Sequence, residues 1–285
     1  MRGKDIGPAT DALSPGGTAP RTPRTTRTQD TARIIDPVIH EGVLFVSGTG
    51  TGVGKTIVTA AVAALASAAG QRVAVVKLAQ TGVQPGKHRG PGSDIPDLET
   101  ITRLSGVTDV YEFARFPDPL SPEAAARVSG LPPVNFAAAA AKIEELSTAR
   151  DLVLVEGAGG LLVRYDSEGK TIADLATVLN QQGLNAPTLI VTAAGLGTLN
   201  HTALTLEAAA ARKLRTAGVV IGSWPRSPGL AERENLADLV TLAKSPLAGL
   251  LPAGSGSLSA GEFGTVARKG LTPALGGTFC MQSDH

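Results

Sequence analysis

A glycine-rich stretch that ends in Gly-Lys-Thr gives the clearest chemical signal, GTGTGVGKT at residues 48–56. Glycines let successive backbone N–H groups converge on phosphate oxygens, the lysine reaches the β- and γ-phosphates, and the threonine hydroxyl binds Mg²⁺. The strict motif has four residues between its two glycines. Here Thr49 stands where the first of them would be, and the first glycine is Gly48. An apolar run before this stretch and an Ala-rich run after it still predict a nucleotide site, with Lys55 and Thr56 on the phosphates and the metal.

A lysine and several carboxylates follow other apolar runs. Lys77 ends one run, where it could stabilise the charge of a phosphoryl group in transfer or simply end a strand in solvent. Glu156 directly follows another run and precedes Gly-Ala-Gly-Gly, which predicts contact with a metal or a substrate. Asp94 and Asp97 stand where a Gly/Pro-rich loop gives way to a helix. A carboxylate there can cap the helix or join Mg²⁺.

A second glycine turn opens a helix at residues 193–201 (AAGLGTLNH). Its free N–H groups suit an anion such as a carboxylate, and Asn200 could add a side-chain donor. His201 is a candidate base, although a histidine at a helix start more often caps the helix or packs against it. No Ser-His-Asp triad is legible, so the sequence predicts no nucleophilic catalysis of that type.

The elements that must position these residues alternate between strands and helices. Short apolar runs predict strands at 43–47, 72–77, 151–155, 188–192, 219–221 and 247–251, and longer segments predict helices at 56–69, 97–104, 134–147, 199–215 and 230–243. This alternation predicts an α/β fold of the P-loop NTPase type, a mostly parallel sheet with helices on both faces. Ligands of such sheets gather beyond the carboxyl ends of the strands, where the polar residues above stand.

Composition separates a tail from a domain. Residues 1–40 carry many Thr, Pro and Arg residues and almost no apolar periodicity, so we expect a disordered tail followed by one synthetase domain at 41–285. The chain has 26 Lys and Arg against 25 Asp and Glu and few aromatic residues, which speaks against nucleic acid and membrane partners. A single cysteine excludes an internal disulfide, and no apolar run is long enough to span a membrane. We expect a cytoplasmic protein.

Taken together, the motifs resemble the dethiobiotin synthetases, a P-loop family of biotin biosynthesis. The phosphate loop matches the longer variant of that family, with five residues between Gly48 and Gly-Lys-Thr. Four other segments are similar to family motifs: Lys77 with Thr81-Gly82, and residues 119–122 (PLSP), 155–160 (VEGAGG) and 196–201 (LGTLNH).

The resemblance implies a specific ligase reaction. One amine of 7,8-diaminononanoate reacts with CO₂ or bicarbonate to give a carbamate, which attacks the γ-phosphate of ATP or another nucleoside triphosphate. The second amine then closes on the carbamic-phosphoric anhydride, forms the ureido ring and expels phosphate. A carbamate is already anionic, so positioning and charge stabilisation supply most of the catalysis.

The resemblance also implies roles for particular residues. It makes Lys77, Lys55 and Thr51 catalytic, and it makes Thr56, Asp97 and Glu156 the Mg²⁺ ligands, with Asp94 as a competitor for the role of Asp97. The implied nucleotide contacts are Gly50, Thr51, Gly52, Val53, Gly54, Lys55, Thr56, Gly222, Ser223, Trp224, Pro252, Ala253 and Gly254. The implied substrate contacts are Thr81, Gly159, Gly160, Leu199 and Asn200. The family is a homodimer, so Leu199 and Asn200 would grip the substrate carboxylate bound to the neighbouring subunit.

The sequence departs from the family pattern at one position, and two alternative functions are considered. Many family members place an adenine-reading asparagine where this chain has Gly222, so we expect that a base other than adenine is accepted. A partition-type ATPase, a nucleotide-switched binding protein, would carry an extra lysine early in the loop, where Thr49 and Gly50 stand. An amidating synthetase would need a nucleophilic cysteine in a glutamine-hydrolysing domain, and Cys280 lies near the C-terminus.

Overall fold

A computed structural model describes residues 41–83, 95–244 and 247–281, which belong to one compact unit. The predicted tail at 1–40 and the candidate metal ligand Asp94 lie outside these residues. The seven strands are β1 (Gly42–Gly48), β2 (Val73–Lys77), β3 (Val110–Glu112), β4 (Leu152–Gly160), β5 (Thr188–Thr192), β6 (Thr216–Trp224) and β7 (Gly249–Pro252). The eight α-helices are α1 (Lys55–Ala68), α2 (Asp97–Ser105), α3 (Pro122–Ser129), α4 (Phe136–Ala149), α5 (Ile172–Gln181), α6 (Thr198–Ala211), α7 (Leu230–Ala243) and α8 (Ala260–Gly270). Two short 3₁₀ helices lie at Ser255–Ser257 and Pro273–Leu275.

The strands form one sheet in the order β3-β2-β4-β1-β5-β6-β7, and every neighbouring pair of these strands is parallel. This confirms the predicted α/β fold. Side chains of a strand alternate between the two faces. Thus Leu44 and Val46 pack into a core with α1, α2 and α8, whereas Val43 and Phe45 pack into a second core with α4 and α5. Helices therefore cover both faces.

β4 bulges at the end that reaches the predicted site. Val46 pairs with Glu156, but the next partner of β1 in register, Gly48, pairs with Gly160. Three residues of β4 thus lie opposite one residue of β1. Such a bulge bends the strand and re-aims its side chains. It places Glu156 at the last regular position of β4, beside Lys77 at the end of β2.

The sequence placed the major elements correctly but missed or misjudged others. β3, α3, α5 and α8 were not predicted. The predicted helix at 199–215 is wrong at its C-terminal end, because α6 ends at Ala211 and Lys213 adopts a left-handed conformation with φ of 57°. β6 consequently begins at Thr216 rather than at residue 219. In the described part of the chain, no helix is long and apolar enough to cross a membrane.

Candidate active site

The phosphate loop connects β1, at the centre of the sheet, with α1. Gly52 and Gly54 have φ of 75° and 96°, conformations that residues with a side chain rarely adopt. The loop also approaches β6 very closely: a Cβ on Gly54 would lie 2.5 Å from the carbonyl oxygen of Gly222. Glycines at these positions allow the loop to curl tightly, as the sequence predicted for a phosphate-binding turn.

Lys55, the first residue of α1, folds back across this loop. Its ammonium group donates to the carbonyl oxygen of Gly50 at 2.8 Å, and only 8% of the residue is exposed. Burial, followed by the positive charge of Lys77, lowers the pKa of Lys55 to about 8. The charges of Glu156 and Asp97 act in the opposite direction but do not outweigh burial. A polyanion in the loop would therefore meet a lysine that is poorly compensated by its own surroundings.

Lys77 forms the centre of a buried charge cluster. Its ammonium group lies 2.5 Å from Oδ2 of Asp97 and 2.8 Å from Oε1 of Glu156, and it donates to the carbonyl oxygen of Gly157 at 3.1 Å. These three acceptors use all three N–H bonds of the ammonium group. The residue is 2% exposed. Of the two alternatives that the sequence left open, the solvated strand-end lysine is therefore wrong.

Lys77 and Asp97 hold each other in the ionised state. Burial alone would lower the pKa of Lys77, but Glu156 and Asp97 outweigh burial and raise it. For Asp97 burial acts to raise the pKa, and Lys77 outweighs this and lowers it, with help from the Thr56 hydroxyl and from Lys55. The ion pair of Lys77 and Asp97 thus persists across the neutral pH range.

The two carboxylates and Thr56 offer oxygen ligands of the kind that Mg²⁺ prefers. The Thr56 hydroxyl donates to Oε1 of Glu156 at 3.1 Å. The other carboxylate oxygen of Glu156, Oε2, is buried and has no hydrogen-bond partner among the described residues. A buried carboxylate oxygen without a partner is costly unless a cation or ligand completes it. The described residues contain no cluster of three or more His, Cys, Asp or Glu side chains placed for a metal. The fit therefore depends on two carboxylates, one hydroxyl and oxygens of the nucleotide.

Asp97 is positioned by a residue that the sequence analysis did not single out. The side-chain oxygen of Gln80 accepts from the N–H of Asp97 at 2.9 Å, and its amide nitrogen donates to the carbonyl oxygen of Thr81 at 3.2 Å. Gln80 is buried and thereby joins the segment after β2 to the start of α2. Asp97 is the first residue of α2, whose N-cap is Pro96, and its carboxylate contacts Lys77. The helix-capping alternative is thus wrong for Asp97.

Tyr165 is a second residue without a sequence signal. It is fully buried, and its hydroxyl accepts from the N–H of Ala158 at 2.6 Å. Burial raises the pKa of Tyr165 to about 12. A Cβ on the neighbouring Gly157 would lie 2.8 Å from Ile172, so the bulged end of β4 is packed closely from behind. Tyr165 therefore fixes the Gly-Ala-Gly-Gly segment at the edge of the site.

A cavity of about 780 Å³ adjoins the loop and the charge cluster. This volume lies in the range of small-molecule sites. The cavity brings together nine of the predicted site residues: Thr51, Gly52, Gly54, Lys55, Thr56, Lys77, Thr81, Asp97 and Gly159. Residues 119–122 form another part of its wall, in agreement with the motif noted in the sequence.

The remaining predicted residues lie elsewhere. Gly222 packs behind the loop, where a Cβ would lie 2.2 Å from the carbonyl oxygen of Val53. The N–H of Ala253 donates to the carbonyl oxygen of Trp224 at 2.7 Å, which joins the two segments predicted to line a base pocket. The residues of these two segments, Gly222, Ser223, Trp224, Pro252, Ala253 and Gly254, do not line the cavity. Gly160 pairs with Gly48 beside the loop.

Leu199 and Asn200 also lie outside this cavity, in the first turn of α6. Asn200 is exposed, and so are Leu196 and Leu204, four residues before and after it. Leu204 lies one turn after Asn200 on the same side of α6, whereas Leu196 lies in the turn before the helix. His201 is exposed too and does not line the cavity, so the structure does not bring this candidate base to the charge cluster.

Comparison with known proteins gives consistent matches. A family model described as an AAA domain matches residues 42–256. The "ATP-dependent dethiobiotin synthetase BioD" of Frankia casuarinae is 60% identical over 239 residues, which cover 84% of this chain and 95% of that protein. The protein of the same name from Parafrankia sp. is 56% identical and covers 83% and 94%. The MinC:MinD cell division protein complex of Aquifex aeolicus matches with a TM-score of 0.49 at 14% identity over 85% of this chain and 98% of that chain.

Proposed function

Because the chain belongs to the dethiobiotin synthetase family and is a ligase, we propose that it builds the ureido ring of dethiobiotin from 7,8-diaminononanoate and CO₂ with hydrolysis of ATP to ADP and phosphate. The charge cluster of Lys77, Asp97 and Glu156, which opens on a cavity beside the phosphate loop, is the observation that carries this proposal. Both reacting partners are anions or become anions, and Lys77 stands between their binding regions.

The triphosphate binds in the loop at residues 50–56. Backbone N–H groups of the loop and of the first turn of α1 bind phosphate oxygens, and Lys55 exchanges its bond to Gly50 for the β- and γ-phosphates. Thr51, which lines the cavity, adds a hydroxyl on the same side. Phosphoryl transfer then relies on cations around the transferred group rather than on a base.

Thr56, Asp97 and Glu156 are the residues that would hold Mg²⁺. The unpartnered Oε2 of Glu156 supports this role, because a metal would complete it. When bound, Mg²⁺ neutralises charge on the β- and γ-phosphates. Lys77 lowers the pKa of Asp97, so this carboxylate is available as an oxygen ligand.

The carbamate is held beside Lys77 and Thr81. One substrate amine attacks the carbon of CO₂ and loses a proton, which gives the carbamate. A carbamate oxygen attacks the γ-phosphorus, and the bond from this phosphorus to the bridging oxygen of ADP breaks. The second amine attacks the carbamate carbon, loses a proton, and the C–O bond to phosphate breaks. The ammonium of Lys77 offsets the negative charge that carbamate and γ-phosphate bring together.

The substrate carboxylate is bound by Leu199 and Asn200 of a second subunit. The exposure of Leu204 on α6 and of Leu196 in the turn before it supports this homodimer, because two large apolar side chains lie in solvent close in sequence to the amide donor of Asn200. A two-fold dimer would repeat the arrangement at both sites.

The nucleotide base lies against the segments joined by Trp224 and Ala253. ATP serves as a substrate, as the names of the relatives suggest. No side chain can project from position 222 with this backbone, so backbone groups and the Trp224 region read the base. We propose that another nucleoside triphosphate is therefore accepted as well.

The test is to incubate purified protein with diaminononanoate, bicarbonate, Mg²⁺ and either ATP, CTP or GTP, and to detect the ureido product by mass. Product with ATP is expected, and its absence with all three would contradict the proposed function. An absolute preference for ATP would refute only the proposal on the base. The partition-type alternative predicts phosphate release that responds to DNA or a protein partner rather than to diaminononanoate and bicarbonate.

A further inference from the structure

Four threonine side chains meet between the phosphate loop and the start of α6. The hydroxyl of Thr192, the last residue of β5, lies 2.7 Å from that of Thr198, 2.7 Å from that of Thr202 and 3.4 Å from that of Thr49. Thr192, Thr198 and Thr202 are buried. Thr49 belongs to the phosphate loop. Thr198 and Thr202 belong to α6 and flank Leu199 and Asn200 in the sequence. The proposed chemistry uses none of the four hydroxyls.

The direction of each hydrogen bond in this cluster follows from counting protons. The Thr198 hydroxyl donates its single proton to the carbonyl oxygen of Ala193 at 2.6 Å, so it can only accept from Thr192. Thr192 therefore donates to Thr198 and has no proton left, and both Thr202 and Thr49 donate to Thr192. Thr192 is thus the only hydroxyl in the cluster that contacts both the loop and the helix. The Thr49 contact is the longest and weakest of the three.

A backbone hydrogen bond connects the phosphate loop with the end of β5. The N–H of Thr49 donates to the carbonyl oxygen of Val191 at 2.9 Å, which leaves Thr49 next to the end of β5. A shift of the loop around bound phosphate would therefore change the Thr49–Thr192 contact directly. Thr192 accepts from Thr49 and donates to Thr198, and linked hydrogen bonds polarise one another, so its bond to Thr198 at the first residue of α6 would respond.

We propose that Thr192 is a positioning residue that couples the phosphate loop to the first turn of α6, so that triphosphate and diaminononanoate strengthen each other's binding. This inference rests on the proposed function, in which that turn binds the substrate carboxylate. In the proposed dimer, the coupled sites belong to different subunits. Such coupling is reciprocal: the nucleotide changes the affinity for the diamine by the same factor as the diamine changes the affinity for the nucleotide.

The experiment measures this coupling factor in the full-length protein. Calorimetry gives the Kd of diaminononanoate with and without β,γ-imido-ATP and Mg²⁺. The coupling factor is the Kd without nucleotide divided by the Kd with nucleotide. In wild type we expect a factor of about five or more. Thr192→Val should reduce it about fivefold, the size expected for one neutral hydrogen bond. Thr192→Ser keeps the hydroxyl and should restore the factor.

Thr188→Val is the matched control. Thr188 lies on the same strand and is buried, and its hydroxyl has no hydrogen-bond partner in the described part of the chain. This variant should keep the wild-type coupling factor. An equal factor in Thr192→Val and Thr188→Val, or a factor of one in wild type, would overturn the role of Thr192 while the ligase activity stands. If wild type makes no ureido product from ATP, the proposed function fails and this inference fails with it.

Discussion

Replacing Lys77 by methionine removes the cation of the charge cluster and leaves its two carboxylates unbalanced. The side chain of Asp97 is partly exposed and can be hydrated, whereas Glu156 is 0% exposed. After the substitution, the Thr56 hydroxyl is the one remaining hydrogen-bond partner that the described residues give to Glu156. Removal of one partner from a buried ion pair typically costs about 3–5 kcal/mol. For a domain of this size each kcal/mol lowers Tm by about 2–4 °C. We therefore expect Lys77→Met to lower Tm by about 10 °C in EDTA.

The assay is a thermal melt in EDTA and in Mg²⁺, without nucleotide. Mg²⁺ should raise Tm more in Lys77→Met than in wild type, because the ion can neutralise the two carboxylates that the lysine has left. Lys170→Met is the control: Lys170 pairs with Glu168 at 2.6 Å on the surface and should hardly change Tm. The same Tm for Lys77→Met and wild type in EDTA would refute the reasoning. The same variant should lose about 10²-fold to 10³-fold in kcat, as when one group that stabilises transition-state charge is removed.

Four further predictions concern the loop and the metal site. At pH 8 about half of Lys55 is unprotonated, so ATP binding should take up about half a proton. Calorimetry in buffers of different ionisation enthalpy measures this uptake, and Lys55→Met should abolish it. Equal uptake in the variant would contradict the assignment. Because the pKa of Lys55 is depressed, the unfolded chain binds more protons at this residue than the folded chain between pH 8 and about 10.4. The nucleotide-free protein should therefore become more stable as the pH rises through this range. Thermal melts of Lys55→Met should lack this contribution. Glu156→Gln should raise the Mg²⁺ concentration needed for half-maximal turnover about tenfold or more, as expected when a metal ligand loses its charge, and an unchanged titration would argue against its role. Gly222→Ala should weaken nucleotide binding severely because its Cβ would meet the carbonyl oxygen of Val53, whereas Gly261→Ala, with open space around it, should bind normally; equal affinities would disprove the close packing.

Sequence patterns were sufficient where local chemistry dictates the structure. β5 and α7 have the predicted bounds, since a continuous apolar run and an uninterrupted helical segment leave little alternative. α8 escaped because Gly261, Gly264 and Gly270 make it look like a loop, although a capping box between Ser259 and Glu262 marks its start. β3 has only three residues and no alternating pattern to detect.

The site divides in the same manner. The phosphate loop is a contiguous motif, so its residues could be named from the sequence. The pairing of Lys77 with both Asp97 and Glu156 depends on β2 lying beside β4, which spacing along the chain does not reveal. Gln80 and Tyr165 were missed because their roles consist of one or two long-range hydrogen bonds. A buried polar residue next to a motif is the signal that would have pointed to Gln80.

β1 lies at the centre of the sheet but is the first of the described strands to leave the ribosome. Its two neighbours come much later in the chain, since Gly42 pairs with Leu152 and Phe45 pairs with Thr188. In the nascent polypeptide one side of β1 therefore stays without a partner until β4 has been synthesised and the other until β5 has been, and unpaired strands of this kind invite aggregation. We therefore expect a chain arrested before residue 188 to be prone to aggregation.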